Sequence, residues 1–344
     1  VGVSLGSSKQ DFEFTTRFMG QRMTVRRVGT QGSLARAGKV LRQWDSRADV
    51  LALGLPAEHQ ALGGARAAAT GLDKLRAQVR HAPLTTGDRL GEIFEEWSLR
   101  HAQHALGHYF DNALVVFHSG LAHYKLAATM AEYTENLQFA DPLWQLGVPK
   151  LLTSLDALGL YASGAHHVAD WAPPRLLPAP LLSQWSRHVL RKAIQKATVL
   201  VAPVHELDTL GLEELAGKTV VTATVNDARL AQLRDKGVHM VIDGAPHLEG
   251  QAIGAALLDA MILAATGKPP GELLEDDYLQ IISELEMQPR ILYPNGYQRT
   301  NRFAFVIHPL SQEYFKTVKP IEMLSRVSPP LMMDTLEKVL AYAP

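Results

Sequence analysis

Residues 218–266, KTVVTATVNDARLAQLRDKGVHMVIDGAPHLEGQAIGAALLDAMILAAT, alternate two short apolar runs with two longer helical patterns. The runs around Val220 and Val241 are β-branched and too short for buried helices, and each ends in a polar loop. The loops are Thr222-Ala-Thr-Val-Asn226-Asp227 and Asp243-Gly-Ala-Pro-His247-Leu-Glu249-Gly250. Strand, helix, strand, helix in this order predicts parallel strands joined by crossovers. In an open α/β sheet, ligands sit beyond the carboxyl ends of such strands, so these two loops mark the first place to look for a site.

Working outward, the same grammar recurs. Val1–Leu5 reads as a strand leading into Gly6-Ser7-Ser8-Lys9, Gln21–Val28 as a second strand, Gly32–Trp44 as an amphipathic helix and Ala48–Leu53 as a buried strand ending at Gly54. Val79–Leu84 reads as a further strand, and Asp88 is placed to cap a long helix running to about Phe110. A second unit opens at Asn112: strand Leu114–Phe117, turn His118-Ser119-Gly120, helix Leu121–Tyr133 and strand Leu137–Ala140. Prolines crowd residues 142–185, where short helices and an irregular excursion are expected. Helix Trp185–Lys196 and strand Thr198–Ala202 restore the rhythm, and Glu275–Glu286 reads as the last helix of the unit. Tyr293-Pro-Asn-Gly-Tyr297 is a turn cluster, beyond which Phe303–Pro309 reads as a strand followed by two helical patterns.

The expected architecture is therefore α/β: two doubly wound Rossmann-like parallel-sheet domains, 1–110 and 111–292, with an interdomain cleft. A C-terminal strand-helix extension over 293–344 packs back or begins a third domain. Gly6, Ser7, Ser8 and Gly54 would line one wall of the cleft; His118, Ser119, Thr222, Asn226, Asp243, His247 and Glu249 would line the other. The chain opens inside a strand and closes on a helical stretch at Pro344. That reads equally as a piece of a longer polypeptide or as one without its disordered ends.

Composition narrows the partners. Lys and Arg total 34 against 35 Asp and Glu, with no long run of one sign, so neither nucleic acid nor an anionic membrane is an expected partner. A small neutral or weakly anionic ligand fits better. No cysteine is present, which excludes disulfides, thiolate nucleophiles and cysteine-ligated metals. The apolar helix at Ala255–Ala265 is too short to span a bilayer and carries Asp259. A cytoplasmic protein is expected, with a homo-oligomer left open.

Among candidate chemistry, the strongest group is Asp243, His247 and Glu249, with Gly250 and Gln251 at an expected helix start. A histidine between two carboxylates offers a base and its orienter, and a helix N-terminus offers free N–H groups to an anion. Turn formation by Asp243-Gly244 and dipole complementation by Glu249 explain the same residues without a ligand. Thr222, Thr224, Asn226 and Asp227 offer hydroxyl and amide groups to a sugar or polyol, although helix capping accounts for Asn226 or Asp227 equally well. His118-Ser119-Gly120 lacks a G-x-S-x-G elbow, so anion binding is preferred to nucleophilic catalysis. Gly6-Ser7-Ser8-Lys9 lacks the phosphate-loop spacing, and no G-x-G-x-x-G follows a strand. His101, His104 and His108 make one helical stripe, but no metal site is expected there or at His166-His167.

The stretches VSLGSSKQD, Arg27–Thr30 to Leu53-Gly54, KTVVTATVND and IDGAPHLEGQAIGAALLDAMI resemble bacterial quinate/shikimate 5-dehydrogenase-like proteins over residues 1–290, loosely across 55–180. That family's substrate-binding serine motif, Lys-Asp pair and glycine-rich cofactor loop have no counterpart here; Lys9 with Asp11 is the nearest pair, at a different spacing. NRFAFVIHPLSQEYFKTV is similar to the opening of long-chain acyl-(acyl carrier protein) reductases, whose reductase portion would lie further along. The resemblance implies a dehydrogenase or reductase, or its substrate-binding part, using NAD or NADP on a small polyol, oxo-acid or acyl thioester. His247 would then transfer the proton, oriented by Asp243 or Glu249, and Gly6, Ser7, Ser8, Gly54, His118, Ser119, Gly120, Thr222, Asn226 and Gly250 would hold cofactor or ligand. A non-catalytic small-molecule-binding or regulatory module using the same cleft is the other reading.

Overall fold

A computed structural model describes residues 1–54, 73–171, 179–203, 207 and 215–296, without the side chains of 165–171 and 179–184. The expected strand and helices beyond residue 296 lie outside the described residues, as do the side chains of His166 and His167.

The class is mixed α/β, with two sheets dominated by parallel strands. The first has the order β2-β3-β1-β4-β5, built from Gly2–Ser4 (β1), Phe12–Phe18 (β2), Gln21–Gly29 (β3), Leu51–Gly54 (β4) and Leu84–Thr85 (β5). Only β2 runs antiparallel, as the outer arm of a hairpin with β3. Sequence reading misses β2, although Phe12, Phe14, Thr16 and Phe18 alternate with polar Glu13, Thr15 and Arg17 as a half-exposed strand should. The Val79–Leu84 strand contracts to β5, because Val79 still belongs to the preceding turn, donating its N–H to the Arg76 carbonyl.

The second sheet has the order β13-β10-β9-β8-β6-β7. Its parallel strands are Val115–Phe117 (β6), Leu137–Phe139 (β7), Val199–Val201 (β8), Thr219–Thr222 (β9) and Met240–Asp243 (β10). Arg290–Leu292 (β13) adds an antiparallel edge. The inner parallel strands are largely apolar runs because helices cover both faces, whereas the edge strand β7 carries Gln138. Val115, Phe117, Val199, Val201, Val221 and Ile242 pack on one side, and Val116, Leu200, Val220 and Val241 on the other.

One helix ties the two sheets together. Asp88–Ala105 (α2, following Leu34–Trp44, α1) buries Leu90, Ile93 and Phe94 against the first sheet and Leu99 and Ala102 against the second. It ends at Ala105, short of the expected Phe110, and Asp88 is not its cap. Gly87 occupies that position with φ +67°. Sequence order places Ala255–Ala265 with the second sheet, whereas Ala255–Thr266 (here αC1) and Glu275–Glu284 (αC2) pack on Phe18, Val25 and Ala52 of the first. Eight successive residues of αC1, Ala256 to Leu263, are buried, so its sequence has no polar face to reveal the packing side.

A buried polar staple fixes αC1. The Asp259 carboxylate accepts from Thr85 Oγ1 and, at 2.6 Å, from Tyr278 Oη, while Gly87 N donates to Thr85 Oγ1 at 3.0 Å. Burial, and then Asp259, push the Tyr278 phenol above its ordinary range. Gly87 is required on two counts: its positive φ, and the Ala256 Cα that would lie 2.4 Å from an added Cβ. Gly87→Ala is expected to lower stability by roughly 2 kcal/mol or more. An unchanged midpoint in equilibrium urea unfolding would contradict this seating of αC1.

Candidate functional site

Asp243 stands at the carboxyl end of β10, fully buried. Its strand neighbours in register are Thr222 of β9 and Arg290 of β13, so the three side chains share one face in a row across three strands. A carboxylate at such a position must be neutralised or saturated. Asp243 Oδ2 accepts from Arg290 Nη2 at 2.7 Å and from Val225 N at 3.1 Å, and Oδ1 accepts from Ala245 N at 3.1 Å. One carboxylate thus holds both loops quoted at the outset and the edge strand. Thr222 Oγ1, Arg290 Nε and His247 Nε2 are buried here with no hydrogen-bond partner from the protein.

His247 is close to Asp243, as expected, but its ring is not presented as a base. Nδ1 lies 2.8 Å from the Ala245 carbonyl oxygen, which only accepts, so Nδ1 carries the proton. The Nε2 lone pair then lies 3.6 Å from Asp243 Oδ2. Burial lowers the His247 pKa from its ordinary 6.5, Asp243 opposing and Arg290 reinforcing the shift. At neutral pH the 3.6 Å approach is therefore not an ion pair.

Glu249 does not orient His247. Its Oε1 accepts from Thr16 Oγ1 of β2 at 2.8 Å, reaching the first sheet instead. Nor does Gly250 begin a helix: His247–Leu248 (β11) and Gln251–Ala252 (β12) form a hairpin turned by Glu249 and Gly250, with φ +50° and +74°. Positive φ at both central residues is the primed-turn geometry that matches strand twist. The helix starts only at Ala255, capped by the Gly254 backbone, so the expected anion site at Gly250 loses its helix N-terminus.

The other expected anion site, at Ser119, is occupied by the chain itself. The helix there, Tyr124–Ala131 (α3), begins later than Leu121. The preceding loop wraps the buried carboxylate of Asp141, which accepts from Ser119 Oγ at 2.7 Å, Gly120 N at 2.8 Å and Leu121 N at 3.1 Å. Gly120 has no room for a Cβ, which would lie 2.3 Å from the Phe139 ring. His118 stacks on the Trp144 ring at 4.8 Å between centroids. Tyr161, its hydroxyl donating to Gln145, is pushed up to about 12 by burial and by Asp141.

In the first sheet, Leu5 N, just after β1, donates to the carbonyl of Gly54, the last residue of β4. Ser7 caps a 3-10 turn over Ser8–Gln10. Arg27 ties this loop to β3 by donating to Ser7 O, Ser4 Oγ and Asp11 Oδ1, and Asp11 also accepts from Gly29 N at 2.6 Å. Asp11 is thus committed to Arg27 and Gly29. Asn226 is a helix cap: its side chain accepts from Arg229 N at 2.9 Å at the start of Asp227–Asp235. The expected histidine stripe is broken, because His108 lies beyond the helix end with φ +63°. Among the described residues no group of three or more His, Asp or Glu is placed to hold a metal, and no helix is long and apolar enough to cross a membrane.

Sequence reading missed Arg290, Asp141 and Thr16. Asp141 carried a signal, since it follows an apolar strand as Asp243 does. Arg290 carried none, meeting Asp243 only through a strand of three residues.

Residues 89–294 match a family model described as a domain of unknown function, DUF8754. The chain belongs to the DUF8754 family. Ahead of the DUF8754 region, residues 1–86 match another domain of unknown function, DUF8753, with only Gly87 and Asp88 between the two matches. No curated protein matches the chain. A crystal structure from Mycobacterium smegmatis aligns over 91% of this chain and 97% of that one, at 10% identity and a TM-score of 0.30, a likeness that carries no argument.

Because partial burial lowers the His247 pKa, the unfolded chain takes up a proton near pH 6.5 that the folded chain refuses until lower pH. Its stabilising contribution is present above about 6.5 and lost as pH falls through that window. Melting temperatures measured from pH 7.5 to 5 are expected to fall less steeply in His247→Gln than in the native protein. Parallel profiles would contradict the buried neutral ring.

Proposed function

We propose that this chain is a small-molecule-binding α/β module, its two sheets being Rossmann-like halves, with the ligand taken at the carboxyl edge of the second sheet. The observation that carries the reading is the row Thr222, Asp243 and Arg290 with His247. Three buried polar atoms without partners lie together at strand carboxyl ends, where α/β sheets take their ligands.

Strand order supports the Rossmann-like assignment. Numbered along the chain, the parallel strands of the second sheet run 2-1-3-4-5, reversing direction between β6 and β8, and those of the first run 2-1-3-4. In the second sheet the crevice opened by this reversal lies between β6 and β8, so strand order supports the fold assignment only, while the Thr222–Asp243–Arg290 row stands on β9, β10 and β13.

The competing reading is an NAD(P)-linked dehydrogenase or reductase acting on a small polyol, oxo-acid or acyl thioester. The concentration of histidine and carboxylate at β10 favours it. Against it stand the commitments of its expected parts: His247 Nδ1 to Ala245, Glu249 to Thr16, and the Ser119 loop to Asp141. A dinucleotide phosphate at that loop would have to displace a buried carboxylate already holding two backbone N–H groups.

Thermal shift of the intact chain separates the readings. NAD(H) and NADP(H) at millimolar concentration are expected to leave the melting temperature unchanged. A rise that scales with cofactor concentration would favour the oxidoreductase.

A further inference from the structure

We infer that the Thr222–Asp243–Arg290 row takes a neutral group that both accepts and donates hydrogen bonds, a hydroxyl or a carboxamide, admitted when the β11–β12 hairpin lifts from β2. The inference rests on the binding-module reading and adds the chemistry of the ligand and its way in.

The chemistry follows from what each atom lacks. Arg290 spends Nη2 on Asp243 and on the Val225 carbonyl, leaving its buried Nε–H in need of an acceptor. His247 Nε2, with the proton held at Nδ1 by Ala245, needs a donor. The Thr222 hydroxyl serves as either. The charges of Asp243 and Arg290 already cancel as a contact pair. An anion would satisfy Arg290 but turn a third acceptor toward the His247 lone pair and set like charge beside Asp243. A cation without an acceptor would leave Arg290 Nε unmet. A hydroxyl, or a carboxamide with its oxygen toward Arg290 and its N–H toward His247, completes all three.

Access follows from the hairpin. The three atoms are shielded from solvent, and His247 is the first residue of β11, so lifting the hairpin withdraws one wall of the row. Each of its strands has two residues, and a two-stranded hairpin is marginally stable by itself. Glu249 sits in the left-handed region at its tip, held to β2 by Thr16. The Thr16–Glu249 bond acts as a latch.

Calorimetric titration and thermal shift of the full chain with myo-inositol, benzamide, benzoate and NADH test this. Benzamide or myo-inositol is expected to bind and raise the melting temperature, and whichever does identifies carboxamide or hydroxyl; benzoate, the anionic counterpart of benzamide, is expected to bind at least tenfold more weakly. Thr222→Val removes a hydroxyl with no partner in the fold. The unliganded melting temperature should hold or rise, and affinity should fall about tenfold. Thr16→Val, which frees the latch, should speed association several-fold in stopped flow. Benzoate binding as tightly as benzamide would overturn the neutral-ligand inference while leaving a binding module. Unchanged affinity in Thr222→Val, or no response to myo-inositol and benzamide, would overturn the site. A response to NADH alone would overturn the binding-module reading itself.

Discussion

A buried carboxylate without compensation costs several kcal/mol, and the carboxyl edge of the second sheet is organised around meeting that demand at Asp243. Arg290 supplies the charge, Val225 and Ala245 supply backbone N–H groups, and the chain must bring three separate segments together to provide them. The edge strand β13, the loop after β9 and the entry to the β11–β12 hairpin are all positioned by this one group. The atoms around it that remain without a protein partner, Thr222 Oγ1, His247 Nε2 and Arg290 Nε, gain their interest from that scaffold.

The same device recurs. Asp141 gathers the loop after β6 through Ser119, Gly120 and Leu121, and Asp45, at the end of α1, gathers Arg80, His81 and Ala82. In each case a carboxylate from one segment fills a set of N–H groups that an external anion would otherwise seek. The Ser119 loop, where sequence reasoning places an anion, is therefore self-satisfied, and Gly250 has no helix N-terminus to offer one. The unmet hydrogen-bonding capacity at the β9–β10–β13 edge instead mixes donor and acceptor: Arg290 Nε–H, His247 Nε2 and the Thr222 hydroxyl. Helix α2 supplies the complementary apolar constraint, packing its first half on one sheet and its second half on the other.

Much of the fold was legible because both sheets are covered on two faces. KTVVT and HMVID read as strands from β-branched content alone, and Asn226 reads as a cap from its position before Asp227–Asp235. The helix boundaries at Asp88 and Leu121 were misread because Gly87 and Asp141 solve the capping problem by backbone conformation and by a distant side chain. The Glu249-Gly250 turn lacks the Asn-Gly or Asp-Gly pair that announces a hairpin, so its residues read as a helix start. Of the site, Asp243, His247 and Thr222 could be named from sequence, because polar residues ending apolar strands are local information. Their partners could not: Arg290 follows Asp243 by 47 residues, and Thr16 precedes Glu249 by 233.

The central claim is that the Asp243–Arg290 pair assembles this edge, and a double-mutant cycle tests it most directly. With Asp243→Asn, Arg290→Met and the double variant followed by urea unfolding, the account predicts that Asp243→Asn alone costs about 1–2 kcal/mol, leaving a half-buried, partly solvent-screened guanidinium without its counter-charge. The double variant should then be more stable than the sum of the two losses implies, by at least about 1 kcal/mol. Additive losses, or an Asp243→Asn protein as stable as the native one, would contradict it.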